Sequence, residues 1–85
     1  MRHLTSTSFW ECYEKLSPTI QKLAEKSFDI LKDNIHHPSL HCKKIEHYWS
    51  VRIGSKYRAL AVEVDEGLLW FWIGTHAEYD RLIKQ

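Results

Sequence analysis

A change of hydrophobic period near Leu40 does most to limit what this chain can become. Before that point apolar residues recur three and four apart; after it they alternate. Phe9, Tyr13 and Leu16 repeat at helical spacing, and so do Ile20, Leu23, Ala24, Ser27, Phe28 and Leu31. Further on, Trp49, Val51 and Ile53 alternate with Tyr48, Ser50 and Arg52, the period of a half-buried strand. A helical front half followed by a strand-forming back half must bury one layer against the other. The expected class is α+β: an N-terminal helical hairpin packed on a three- to four-stranded antiparallel sheet, with a short C-terminal helix.

Local chemistry sets the boundaries. Ser8 precedes Glu11 by three residues, which predicts a capping box and a helix over about Phe9 to Leu16. Ser17 is read as the next N-cap, with Pro18 at the first helical position, where its missing N–H does no harm. That helix should end near Asn34, ahead of His36-His37-Pro38. Gly54-Ser55 predicts a turn into a strand from Lys56 to Val64, with Leu60, Val62 and Val64 on the face of Arg58. Asp65-Glu66-Gly67 turns again, and Leu68 to Ile73 is apolar on both sides, hence central or covered. Thr75 caps the terminal helix carrying His76, Tyr79, Leu82 and Ile83. Arg2 to Thr5 is read as a short edge strand.

Eighty-five residues make a single domain, residues 1–85, near the size where one core only just suffices. Eleven aromatic residues help, because each buries a large area with few rotors. Three glycines and two prolines argue against a linker. The start, Met-Arg-His-Leu-Thr-Ser, has no apolar h-region, and no stretch approaches the roughly 18 apolar residues of a membrane span. The expected location is the cytoplasm, with no membrane partner. Cys12 and Cys42 are read as small apolar fillers. His36, His37, His41 and Cys42 share one loop instead of forming opposed ligand pairs, so no metal site is expected.

The net charge of +1 conceals an asymmetry. Residues 41–58 hold Lys43, Lys44, Arg52, Lys56 and Arg58 against Glu46 alone, so the rest of the chain is acidic. That distribution points to a local anion-binding face. Arg52 and Arg58 flank one turn and can meet at one end of the sheet. Alone they would suit solvated strand positions; clustered with Lys43, Lys44 and Lys56 they suit phosphate. His47 leads into the Arg52 strand and is read as leaning towards the same face. His76 and Tyr79, three apart, share a helix face. Histidine titrates near about 6.5 and can move a proton, while tyrosine can bind phosphate or stack on a base. An inward-packed Tyr79 with His76 capping a loop is the alternative. No nucleophile elbow, glycine-rich phosphate loop or paired carboxylates occur.

The run Trp-Ser-Val-Arg-Ile-Gly-Ser-Lys-Tyr-Arg-Ala-Leu, then Ile-Gly-Thr-His-Ala-Glu-Tyr-Asp-Arg-Leu, resembles the RelE/ParE superfamily of bacterial type II toxins. The resemblance spans nearly the whole chain. It implies a toxin that cleaves messenger RNA, in association with the ribosome, by attack of a ribose 2′-OH on the adjacent phosphate. No cofactor is implied, because nucleophile and electrophile share one nucleotide. By position, Arg58 matches the family arginine at the scissile phosphate, and Arg52 a basic residue on the preceding strand. His76 and Tyr79 match a basic or histidine residue and a tyrosine after the last strand. Lys43, Lys44, His47 and Lys56 would hold flanking phosphates. Ser50 stands where some members carry a second catalytic lysine. A cognate antitoxin is the implied partner. The superfamily also contains inhibitors of DNA gyrase, and an inactive, antitoxin-binding relative is a third reading.

Overall fold

A computed structural model describes residues 2–84. Strand β1 (Arg2–Thr5) leads into helices α1 (Thr7–Glu14) and α2 (Pro18–Asp33). A 3-10 turn (Pro38–Leu40) then precedes β2 (Lys43–Ile45), β3 (Tyr48–Ile53), β4 (Tyr57–Val64), β5 (Gly67–Thr75) and α3 (His76–Ile83). The architecture is the expected α+β, with the helical hairpin on one face of the sheet.

The sheet is larger and more mixed than expected. It has five strands in the order β1-β5-β4-β3-β2, and β1 runs parallel to β5 while the other pairs are antiparallel. Parallel entry puts the end of β1 beside the middle of β5, where Ser6 N donates to the Trp70 carbonyl at 3.0 Å. The short β2, absent from the alternation argument, forms the other edge.

Helix α2 begins and ends where its caps predict. Ser17 Oγ accepts from Ile20 N at 3.4 Å, Pro18 opens the first turn, and Asn34 closes the last. Helix α1 differs: Ser6, not Ser8, is the N-cap, its Oγ accepting from Phe9 N at 3.2 Å. Ser8 is diverted because its hydroxyl donates to the Phe71 carbonyl at 2.9 Å, across 63 residues of sequence. A tertiary bond outcompetes the local box.

Between the hairpin and the sheet lies the core, where Phe9, Ala24, Leu31, Val51, Ile53, Ala59, Ala61, Leu68, Trp70 and Ile73 are buried. Each large side chain there contributes about 1.5–3 kcal/mol through burial. The register pairs Trp49 with Ala61 and Val51 with Ala59, so small residues of β4 face large ones of β3. Between Leu60 and Ala61 the pairing skips from Trp72 to Trp70, which leaves Phe71 as the extra residue of a β-bulge in β5. Gly54, at φ +62°, makes the turn between β3 and β4 possible.

Helix α3 starts on a reciprocal capping box. Thr75 Oγ1 accepts from Glu78 N at 3.1 Å, while Glu78 Oε1 accepts from Thr75 N at 3.0 Å and from its hydroxyl at 2.9 Å. The backbone bond from Thr75, then its hydroxyl, holds the Glu78 carboxyl below its ordinary 4.5. A depressed folded pKa contributes stability that is complete above the unfolded value and lost as pH falls through the folded one. The wild type should therefore lose stability against urea as pH falls below about 4.5. Glu78→Gln, which keeps an acceptor but cannot titrate, should give a shallower decline; parallel pH curves would refute the assignment.

A cationic pocket on the open face of the sheet

Alternation along β3 and β4 turns Ser50, Arg52, Arg58 and Leu60 away from the helices. Arg52 and Arg58 are direct cross-strand partners, as are Ser50 and Leu60. The turn Gly54–Lys56 therefore brings two guanidinium groups to one end of the open face. Helix α3 folds over the same end, because His76 N donates to the Lys56 carbonyl at 2.7 Å.

Arg58 is the centre of the arrangement. Only 4% exposed, it donates from Nε to Ser50 Oγ at 2.6 Å and from Nη2 to the His41 carbonyl at 3.1 Å. Its guanidinium carbon lies 5.0 Å from the Tyr79 ring centroid, a cation–π contact. Among the described residues no carboxylate pairs with either arginine; the ion pairs found are Lys32–Asp29, Lys44–Glu63 and His76–Asp80. Burial lowers the Arg58 pKa, Tyr79 and Cys42 oppose that shift, and the neighbouring charge of Arg52 adds to it. Even so, an arginine stays protonated at neutral pH. The result is a buried cation with neutral partners only.

Arg52 donates from Nε to the Gly54 carbonyl at 2.8 Å, and its Nη1 lies 3.3 Å from His41 Nε2. An arginine can only donate, so the His41 ring nitrogen is the acceptor in this contact. His41 thus touches both arginines, through its carbonyl and its ring, from a left-handed backbone position at φ 43°. The sequence placed His41 only in a discarded metal cluster. The available cue was its position one residue before Cys42 and two before β2.

Tyr79 is buried and forms the wall between Arg58 and His76. Its ring stands edge-on to the His76 ring at 5.6 Å between centroids. His76 is exposed, and its Nδ1 is 3.1 Å from Asp80 Oδ2, one turn along α3. That contact orients the ring and leaves Nε2 as the nitrogen available to a ligand. Gly74, opposite Arg58 on β5, carries the Trp72 ring so closely that an added Cβ would lie 2.5 Å from it. Only glycine permits this packing beside the pocket.

Arg52 and Arg58 are thus cross-strand partners, Tyr79 packs on Arg58, and His76 packs on Tyr79, all at one end of the sheet. Lys43 pairs with Ser50 and so belongs to the same face, and Lys56 sits exposed in the adjoining turn. Lys44 and His47, expected among the phosphate contacts, lie elsewhere. Lys44 pairs with Trp49, hence faces the helix side, where it meets Glu63 at 3.3 Å and the Trp49 ring at 5.6 Å. Of two adjacent strand residues only one can face the pocket. His47 is in the β2–β3 turn, at the far end of β3 from Arg52, roughly 16 Å away at 3.3 Å per residue. Among the described residues no three potential metal ligands converge, and no helix is long and apolar enough to cross a membrane.

The fold has well-defined counterparts. A chain of the RelB–RelE antitoxin–toxin complex from Methanococcus jannaschii is similar, with a TM-score of 0.71 at 17% identity, covering 92% of this chain and 96% of that one. The YoeB/ParE toxin from Agrobacterium tumefaciens superposes with a TM-score of 0.69 at 16% identity, over 89% of this chain and 99% of its own. The isolated RelE toxin of E. coli gives 0.63 at 14% identity, over 96% and 94%. No curated protein matches at the level of sequence. A family model described as the ParE-like toxin domain matches residues 18–81, from the start of α2 through Tyr79 and Arg81 of α3. With both arginine-bearing strands and most of α3 inside that match, the chain belongs to the ParE-like toxin domain family, within the RelE/ParE superfamily.

Proposed function

We propose that this chain is the toxin of a toxin–antitoxin pair and acts as an endoribonuclease on messenger RNA in the cytoplasm, in association with the ribosome. The observation that supports this most strongly is Arg58, a buried cation whose protein partners are all neutral. Burying a charge without a counter-charge is costly, and the cost is recovered when an anion enters. Beside Arg52, the fitting anion is a phosphodiester.

In this reading the ribose 2′-oxygen attacks the adjacent phosphorus and the bond to O5′ breaks. The products are a 2′,3′-cyclic phosphate and a free 5′-OH. Negative charge grows on the non-bridging oxygens, which Arg58 and Arg52 stabilise electrostatically. His76 Nε2 transfers a proton, either from the 2′-OH or to the departing O5′, while Asp80 steadies the ring. Tyr79, buried between Arg58 and His76, holds the Arg58 guanidinium by its ring face. Lys43 and Lys56 meet flanking phosphates, a contribution that falls with salt. A cognate antitoxin would cover the same pocket with an acidic segment that folds on contact.

The ParE-like character of the matching family model favours a second reading, a gyrase-binding inhibitor. The two separate on induction in cells. The ribonuclease reading expects translation to stop first, with transcripts cleaved and ending in cyclic phosphates. A DNA-damage response that precedes any loss of translation would overturn it in favour of the second.

A further inference from the structure

Behind the sheet, on the helix side, a cleft of about 650 Å³ opens between α1, α2 and the β1 edge. Its size falls within the range of small-molecule pockets. Six rings line it: His3, Phe9, Trp10, Tyr13, Phe28 and Trp70. Five of them form a continuous edge-to-face run, Tyr13 to Trp10 to Phe9 to Phe28 to Trp70, with centroid separations of 5.1–5.6 Å. Phe9 and Trp70 are buried and close the back of the cleft, whereas Trp10 is 47% exposed and His3, Tyr13 and Phe28 are half-buried, so these four rings are what a ligand meets.

The polar atoms of these rings are already engaged. Trp10 Nε1 donates to Thr5 Oγ1 at 2.9 Å, Trp70 Nε1 to His3 Nδ1 at 3.1 Å, and the Tyr13 hydroxyl to Glu25 Oε1 at 3.2 Å. Burial lowers the His3 pKa, which keeps that ring neutral with its proton on Nε2. What the cleft offers is π-electron surface and two rim carboxylates, Glu25 and Asp29, one helical turn apart. Lys32 also lines it and reaches Asp29 at 3.6 Å, which leaves Glu25 as the carboxylate without a cationic partner among the described residues.

We propose that this cleft binds a small organic cation, a quaternary ammonium or guanidinium group, between the aromatic wall and Glu25. A positive charge with an apolar shell gains from ring faces and from a carboxylate at once. Neutral apolar compounds gain only the first, anions are repelled by Glu25, and a bare metal ion finds too few oxygens. The site is independent of the arginine pocket, which lies on the other face of the sheet.

Choline, its neutral isostere 3,3-dimethyl-1-butanol, and N-acetyl-arginine amide are the probes, titrated against tryptophan fluorescence of the intact chain. Choline or the arginine amide should bind saturably and roughly tenfold more tightly than the alcohol. Whichever cation binds better identifies the source, a free ammonium or a side chain presented by another protein. Glu25→Gln, which keeps an acceptor for Tyr13, should remove that preference while leaving the alcohol unchanged; Arg58→Ala should leave all three unchanged. Equal affinity for cation and alcohol, or no saturation at tens of millimolar, overturns the proposal.

Discussion

Arg58→Ala should abolish growth arrest and, on the ribonuclease reading, lower RNA cleavage by about 10²- to 10³-fold, the scale of losing one preorganised donor to a developing anion. The variant should still fold. Arg58→Lys does not restore activity, because an ammonium cannot serve Ser50 Oγ, the His41 carbonyl and the Tyr79 ring in one planar geometry. Arg58→Met separates function from structure. It removes a buried charge that lacks a carboxylate, so its melting temperature should equal or exceed that of the wild type. Ser50→Ala has the opposite sign: it strands the Arg58 Nε donor and costs about 1–3 kcal/mol. A toxic Arg58→Ala, or an Arg58→Met that unfolds well below the wild type, would refute the phosphate-binding role.

On the ribonuclease reading, His76→Ala should lower cleavage by about 10²- to 10⁴-fold, the usual worth of a positioned acid or base. Because His76 is exposed, its removal should change stability by only a few tenths of a kcal/mol. Asp80→Asn weakens the contact that orients the ring and should cost less activity than His76→Ala. Single-turnover cleavage of a short RNA, with stability measured alongside, decides the matter. Full activity in His76→Ala would move proton transfer to another group and weaken the nuclease reading relative to gyrase binding.

Where one residue's local chemistry was decisive, the sequence was readable. Ser17-Pro18 fixed the start of α2, and Thr75 the start of α3. Alternation in β3 correctly separated Val51 and Ile53 from Ser50 and Arg52. What escaped depended on distant partners. Ser8 lost its capping role to a carbonyl in β5, and β1 chose a parallel neighbour that no local pattern marks. Lys43 and Lys44 looked equivalent until the β2–β3 register put them on opposite faces. His41 looked like a stray metal ligand because its use is mainly through a carbonyl, which carries no residue signature.

The bulge at Phe71 has a consequence for the whole pocket. Strand side chains swap sides at every step, so the extra residue resets the phase between the core-facing half of β5 and the half leading into α3. Were Phe71 paired in a regular ladder instead, with Trp70 in place, every residue downstream would slip by one position and rotate by half a turn. Gly74 would no longer oppose Arg58, and the imidazole would be delivered to the wrong side of the ladder. An irregularity of one residue thus sets which side of the ladder receives the histidine that meets the arginine.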